Sequence, residues 1–424
     1  MTRQLTPKLG AYAALAAAGL LAALLFGRPE AAALALAFAL LAALGLALAR
    51  EPALAVTPEL RQDRVLEGGL AIVSLRLEGL AAVRGLELRL RLAEGVTLSD
   101  SSGLRDLNLA AGEVRTVELA VEARRWGVYD LGSIQVRARD RFGFFLFEQS
   151  LSTTLPLRVY PRAERLRALL APLETQAHAG NTVSRERGAG IEFADVREFF
   201  PGDRVRHVNW RVSARRGRLH VNQHHPERNA DVVIFLDTFA EVAGAGATTL
   251  DLAVRGAATL AGQYLRVRDR VGMIGFGGII RWLRPGTGTI QLYRLLDSLL
   301  DTRVVTSYAW KDIDVIPTGT LPPQALLLAL TPLVDERTTG ALLDVRGRGF
   351  DVAVLELDPV AMVAPRPDEL GRLAHRLWLL QREALRERFR AAGVPIASWN
   401  EGRPLEAALE EVAASRRHAG RARV

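Results

Sequence analysis

The run DVVIFLD, Asp231–Asp237, is an uninterrupted apolar segment that is ended by an acid. Such a run is typical of a strand that is buried on both faces of a parallel sheet. Further short apolar runs follow: VGMIGF with IIRWL as a strand pair, then ALLLAL, VAVLEL and PIASW. Segments with helical periodicity separate them, near 248–266, 289–301, 336–346 and 368–392 and from about 405. Repeated β–α units predict an open, Rossmann-like α/β domain over 231–424.

Ligands of such sheets meet the carboxyl ends of the strands. The sequence therefore places Asp237 and the loops after Phe276, Leu330 and Leu357 on the candidate face.

Upstream, residues 51–162 show a different periodicity. The runs LAIVSLRLEG, LELRLRLAEG, VRTVELAVEA and IQVRARD alternate apolar and polar residues, with turn residues between them. Alternation at this spacing predicts short antiparallel strands and a β-sandwich-like domain. We expect this domain to be a packed spacer or a protein-contact module.

Residues 1–50 are dominated by two uncharged stretches, Leu9–Phe26 and Ala31–Ala49, with only the turn GRPE between them. Each is close to the ~20 residues that a membrane-spanning helix needs, so a transmembrane helical hairpin is predicted. A signal peptide is the alternative. Basic residues flank the outer ends of the hairpin, which predicts a cell inner (cytoplasmic) membrane protein whose soluble domains face the cytoplasm. These residues are Arg3, Lys8, Arg50 and Arg61.

The composition excludes several kinds of chemistry. The 424 residues include no cysteine, so disulfides, thiolate metal sites and cysteine nucleophiles are absent. The net charge of +8 is carried almost wholly by arginine and is dispersed along the chain. No nucleic-acid-binding motif accompanies it, so no nucleic-acid partner is expected, and an arginine-driven nucleic-acid binder remains an alternative function.

A linker, 163–230, carries the most distinctive run, GAGIEFADVREFFPGDRVRHVNWRVSARRGRLHV, Gly188–Val221. One interpretation is internal: its acids pair with its arginines and Trp210 packs the segment onto the sheet. The other is a partner-binding surface, since Arg and Trp are enriched at interface hot spots. Both can hold for different residues. The predicted partner-binding set is Glu192, Arg197, Asp203, Arg206, Trp210 and Arg215.

No catalytic residue is predicted in this run. Ser213 lies near His207 and His220 in sequence, but no nucleophile elbow or orienting acid accompanies it. No acidic residue lies at a spacing from the histidines of HVNQHH that would make it the fourth ligand of a zinc ion.

The same run, followed by a strand that ends in Asp-Thr, resembles the signature of the domain of unknown function 58 family. The stretches RRWGVYDLGSIQVRARDRFGFF and LAHRLWLLQREALRERFRAAGVPIASW also resemble the family pattern. The resemblance implies a membrane hairpin, a β-rich segment and a von Willebrand factor A-like domain. It also implies association with a MoxR-type AAA+ ATPase, and it brings no enzymatic reaction with it.

Many A-type domains bind Mg²⁺ through Asp-x-Ser-x-Ser with a later threonine and aspartate, because a hard cation needs several oxygen ligands. Here the first loop reads DTFAE, so Phe239 and Glu241 replace the serines. Thr287 could supply the threonine, whereas Asp335 comes late after the strand ALLLAL. We therefore expect a degenerate site at Asp237, Glu241 and Thr287 without a bound metal or other cofactor.

Together these features predict a multi-domain, membrane-anchored and non-enzymatic adaptor. Its expected partners are the membrane, a MoxR-type AAA+ ATPase and an unidentified client, and its expected role is in the assembly or maturation of other proteins. The competing hypothesis is a metal-dependent adhesion-type module or an uncharacterised hydrolase that uses Asp237.

Overall fold

The computed structural model describes residues 2–99, 107–131, 133–152, 154–172, 192–200, 203, 205, 208–225, 230–244, 246–304, 315–317 and 319–421. The chain divides into two compact units, Met1–Pro161 and Arg162–Val424.

The first unit begins with two apolar helices, α1 (Pro7–Phe26) and α2 (Pro29–Ala47). A proline opens each helix, where its missing N–H is not needed, and Gly27 ends α1 in the left-handed region at φ 62°. The two helices approach closely at Gly19, where an added Cβ would lie 2.8 Å from the Cβ of Ala35. By length and composition both helices can cross a membrane.

The alternating apolar and polar residues after α2 form β-strands, as predicted. A five-stranded sheet has the order β1-β11-β10-β5-β7, a four-stranded sheet β2-β4-β8-β6, and a three-stranded sheet β3-β12-β9. Apolar residues from all three sheets share one core, which includes Leu75, Leu88 and Val159. The strands are β1 (Thr2–Leu5), β2 (Leu54–Leu60), β3 (Arg64–Leu66), β4 (Leu70–Gly79), β5 (Val83–Arg91), β6 (Val96–Leu98), β7 (Leu107–Leu109), β8 (Val114–Ala123), β9 (Gly127–Asp130), β10 (Ser133–Arg139), β11 (Phe145–Ser152) and β12 (Pro156–Tyr160).

The helical hairpin is attached to this β-region at both of its outer ends. Strand β1 pairs antiparallel with β11 from Thr2↔Glu148 to Leu5↔Phe145. At the β10–β11 turn, the ring of Phe144 packs against Gly45 of α2, where an added Cβ would lie 2.2 Å from that ring. The Thr6 hydroxyl donates to the Gly143 carbonyl at 2.7 Å. The β-region is therefore joined to the helices by packing as well as by the chain.

The second unit contains a six-stranded sheet of order β17-β16-β15-β18-β19-β20. All neighbouring pairs are parallel except β16 and β17. The strands are β15 (Asp231–Asp237), β16 (Arg270–Phe276), β17 (Arg281–Gly286), β18 (Leu326–Thr331), β19 (Asp351–Leu357) and β20 (Ile396–Trp399). The helices are α4 (Thr249–Arg266), α5 (Gly288–Leu300), α6 (Glu336–Gly347), α7 (Glu369–Ala391) and α8 (Leu405–Arg421).

The apolar runs form the central strands of the sheet, where both of its faces are covered. Every residue of β15, β18 and β19 is buried. Helix α4 begins with a capping box in which Thr248 and Asp251 satisfy each other's backbone N–H groups. The α/β content of the chain is thus as predicted.

Residues 164–170, at the start of the predicted linker, form hydrogen bonds with side chains of α4. The Tyr264 hydroxyl donates to the Leu170 carbonyl at 2.7 Å, and Gln263 donates to the Glu164 carbonyl at 3.0 Å. Leu166 and Leu170 are buried. The start of the predicted linker is therefore attached to α4 at Glu164 and Leu170.

Candidate functional site

The Arg-rich signature folds around a two-stranded sheet. Strand β13 (Glu192–Glu198) pairs antiparallel with β14 (His220–His225), with a register shift between Phe193 and Asp195. Helix α3 (Trp210–Arg216) lies between them in the chain. We call the described residues of 192–225 the signature hairpin. The sequence did not predict this helix, because its seven residues, WRVSARR, show no apolar periodicity.

Helix α3 is held by caps at both ends. The Asn209 side chain accepts from the Val212 N–H at 3.1 Å, and Gly217 ends the helix in the left-handed region at φ 67°. Asn209 also donates through Nδ2 to Asn222 of β14 at 2.8 Å. The caps therefore fix the short helix to the strand beside it.

Ser213 and His220 form hydrogen bonds within the signature hairpin. The Ser213 hydroxyl donates to the Asn209 carbonyl at 2.8 Å and accepts from the His220 backbone N–H at 2.9 Å. Nδ1 of His220 contacts the Arg218 carbonyl at 2.8 Å. Both residues are buried, so the hydroxyl is committed to holding α3 against β14.

One predicted ion pair is present in the signature hairpin. Arg197 donates to both carboxylate oxygens of Asp203, each at 2.6 Å. Asp203 also accepts from the Phe200 N–H at 2.8 Å. Hydrogen bonding to Asp203 raises the pKa of the Arg197 guanidinium above its ordinary value. The bidentate geometry is the one that arginine favours with a carboxylate.

Trp210, by contrast, does not pack onto the sheet, and that prediction was wrong. Trp210 is the first residue of α3, and its side chain is 65% exposed. Three other large apolar side chains of the signature hairpin are also exposed: Phe200, Val205 and Leu219. Arg211, Arg215, Arg216 and Arg218 are exposed in the same segment, and Arg218 pairs with Glu198 at 3.2 Å. We call the four exposed apolar residues and these four arginines the Arg/Trp face.

The predicted partner-binding residues thus fall into three groups. Arg197 and Asp203 pair with each other and shape the hairpin. Trp210 and Arg215 lie on the Arg/Trp face. The side chain of Glu192 and the whole of Arg206 lie outside the described residues.

A second candidate site lies at the carboxyl edge of the six-stranded sheet, around Asp237. This carboxyl group is buried and both of its oxygens accept hydrogen bonds. Oδ2 accepts from the Thr331 hydroxyl at 2.6 Å, and Oδ1 from the Phe239 N–H at 3.0 Å. Burial raises the pKa of Asp237 to about 6, although these hydrogen bonds oppose the shift. Thr331, which ends the neighbouring strand β18, was not predicted as part of this site.

The other predicted ligands do not join Asp237. Glu241 is exposed in the loop after β15, and Thr287 is exposed at the N-cap position of α5. Asp335 caps α6 and pairs with Arg337 at 2.7 Å, which lowers the pKa of this aspartate. Within the described part of the chain, no group of three or more His, Asp or Glu side chains is arranged to hold a metal ion. Of the three candidates for a degenerate site, Asp237 is thus buried, whereas Glu241 and Thr287 are exposed.

The side chains of Arg382 and Arg386 also lie at this edge of the sheet, and the sequence did not predict them there. Glu356, near the end of β19, is buried and pairs with the buried Arg382 of α7 and with Arg386 at 2.6 Å. Arg382 also donates to the carbonyls of Pro332 at 2.8 Å and Leu333 at 3.1 Å. The loop after β18 is thus bonded to α7. An acid in the otherwise apolar run VAVLEL was the available signal in the sequence.

The comparisons with known proteins bear on the signature region. Residues 195–327 match the family model described as "Protein of unknown function DUF58". That match supports the resemblance carried by the signature. No curated protein matches the chain.

Solved structures show only weak likeness. Native alpha-2-macroglobulin from Escherichia coli is 17% identical, with a TM-score of 0.21 over 26% of this chain and 17% of that one. A FixG-related protein from Vibrio parahaemolyticus is 13% identical, with a TM-score of 0.17 over 25% of this chain and 97% of that one. The tandem immunoglobulin domains of titin are 14% identical, with a TM-score of 0.12 over 41% and 83%. Such scores support no conclusion about fold or function.

Proposed function

We propose that this protein is a membrane-anchored, non-enzymatic adaptor that binds a MoxR-type AAA+ ATPase through the Arg/Trp face. The observation that supports the proposal most directly is the exposure of Trp210 on a helix that is capped at both ends. A large exposed aromatic side chain on a rigid helix that also carries exposed arginines has the composition of an interface hot spot. The choice of ATPase rests on the family resemblance.

The internal bonds of the signature hairpin support this assignment of roles. Arg197 is held by Asp203 and Ser213 is held by β14, so these side chains act as the frame. Arg215 and its exposed neighbours are directed to solvent. A frame with a separate contact surface is what a docking module requires, because fixed side chains lose less conformational entropy on binding.

The second unit is, on this proposal, a von Willebrand factor A-like domain. Its single antiparallel strand β17 at one edge of an otherwise parallel sheet supports the assignment. The carboxyl edge is occupied by internal bonds of Asp237 and by the Glu356–Arg382 pair, so in this chain the edge serves the fold.

The anchor is the helical hairpin, α1 and α2, in the cell inner membrane. Its two helices of 20 and 19 residues suit a bilayer, and their short connection requires antiparallel spans. Arg3 and Lys8 precede the first span and Arg50 follows the second. By the positive-inside rule this distribution favours a topology in which both soluble units face the cytoplasm.

Affinity capture from native membranes tests the proposal. The full chain should recover an AAA+ ATPase, and Trp210→Ala should lose it. The matched control is Tyr293→Ala, which removes an exposed aromatic side chain of α5. An adaptor of this kind is excluded if no AAA+ ATPase is recovered, or if both variants recover it equally. Recovery of nucleic acid, with steep salt dependence, would instead favour the arginine-driven nucleic-acid binder.

A further inference from the structure

Helix α7 buries little of its own surface. Of its 23 residues only Arg382 and Phe389 are buried, and both lie in its second half. The first half, 369–381, therefore contains no buried side chain. At 1.5 Å per residue it presents a rod of about 20 Å. Soluble helices bury an apolar stripe against a core, so this half-helix lacks a partner in the described structure.

Its exposed surface is nonetheless apolar along one side. Leu370, Leu373, Leu377 and Leu380 are 77%, 54%, 54% and 69% exposed. Their spacing of three, four and three residues places them on one face of the helix. Contiguous exposed leucines of this kind mark a contact surface.

Arginines outnumber acids beside these leucines. The first half of α7, 369–381, contains Arg372 and Arg376 and one acid, Glu369, at its first position. The half-buried Trp378 stands at the margin of the leucine stripe, with its ring centroid 5.7 Å from that of His375. Leucines on one face, arginines beside them and a tryptophan at the margin are typical of helices that lie in a membrane interface.

We propose that the first half of α7 is an in-plane helix that binds the surface of an anionic bilayer. The leucine stripe enters the boundary between headgroups and acyl chains, and Arg372 and Arg376 contact anionic headgroups. The inference rests on the proposed anchoring of the chain by its two N-terminal helices, which would keep every copy at a bilayer. This second membrane contact is independent of the proposed binding of an ATPase.

A second copy of the chain is a weaker match to the same surface. The leucine spacing would suit a coiled-coil seam, but the next two seam positions are Ala384 and Glu387. The seam thus ends after two heptads, and a coiled coil is indicated only by about three or four.

The test uses the absence of cysteine from the chain, which makes any introduced cysteine a unique labelling site. Leu377→Cys, with an environment-sensitive fluorophore, reports on the stripe. Leu379→Cys, an exposed position on the opposite side of the same half-helix, is the matched control. The full-length chain is placed, one copy per disc, in lipid nanodiscs of phosphatidylcholine with about a quarter phosphatidylglycerol. Quenching by lipids that carry a nitroxide in the acyl chain is then measured.

We expect quenching at position 377 to be about threefold stronger than at position 379, and to weaken in phosphatidylcholine alone, since anionic lipid attracts the arginines. Leu373→Cys provides a second reporter should Leu377→Cys impair folding. Equal quenching at 377 and 379 would refute the proposal. A blue shift at 377 that needs two copies per disc would also refute it, in favour of self-association. The retention of the ATPase by each variant is measured separately and reports on the adaptor proposal alone.

Discussion

Replacing Arg382 by methionine should destabilise the second unit strongly, because it leaves a buried charge without its main partner. The side chains of Arg382 and Glu356 are 5% and 1% exposed. Removing one member of a buried pair costs about 3–5 kcal/mol. Arg386 still contacts Glu356 at 2.6 Å, so we expect the lower end of that range. The carbonyls of Pro332 and Leu333 also lose their donor.

Hydrogen exchange followed by mass spectrometry measures this loss in the full-length chain. Peptides from β18 and β19 report on the second unit separately from the first. A loss of about 3 kcal/mol corresponds to roughly 100-fold faster exchange of their most protected amides. Arg390→Met is the matched control, because Arg390 pairs with Glu383 and Glu387 at the surface of the same helix. Exposed pairs contribute about 0–1 kcal/mol.

A double variant separates loss of the pair from loss of helix packing. Glu356→Leu combined with Arg382→Met removes both charges and should recover much of the stability, since apolar groups of similar size often replace a buried pair without loss. Equal exchange in Arg382→Met and Arg390→Met would refute the structural role of the buried pair. So would a double variant that is less stable than Arg382→Met.

Three further predictions concern other parts of the chain. The pKa of Asp237, raised by burial to about 6, means that its contribution to stability is full below pH ~4 and is lost as the pH rises through 6. At pH 8 the loss is about 3 kcal/mol, and Asp237→Asn should remove this pH dependence from the free energy of unfolding obtained by hydrogen exchange of β15. Asp203→Asn should accelerate exchange in residues 198–200 by loosening the frame of the signature hairpin, and unchanged exchange there would count against it. Gly45→Val should lower the thermal midpoint in detergent by overpacking Phe144, whereas Gly10→Val, with nothing within 4 Å, should not.

The α/β unit could be predicted in detail because its elements are long and locally consistent. The run DVVIFLD forms β15 with the predicted bounds, and the helix expected over 248–266 is α4, Thr249–Arg266. In both segments local periodicity and burial agree.

Features that depend on distant partners were not predictable. Strand β1 is an edge strand only because β11, more than a hundred residues later, pairs with it. Likewise, the partner of Glu356 is a side chain of α7, which no spacing in the sequence connects with β19. Whether Trp210 is buried or exposed depends on how α3 lies on β14, and its residue type is compatible with both.

The proposed docking of a MoxR-type AAA+ ATPase on the Arg/Trp face can be measured with purified components. The quantity to measure is the dissociation constant between that ATPase, from the same organism, and the full-length chain in nanodiscs. A hot-spot tryptophan contributes about 2 kcal/mol or more, so Trp210→Ala should weaken binding by roughly 30-fold, with Tyr293→Ala unchanged. Equal affinity of wild type and Trp210→Ala, or no measurable binding by the wild type, would contradict the claim.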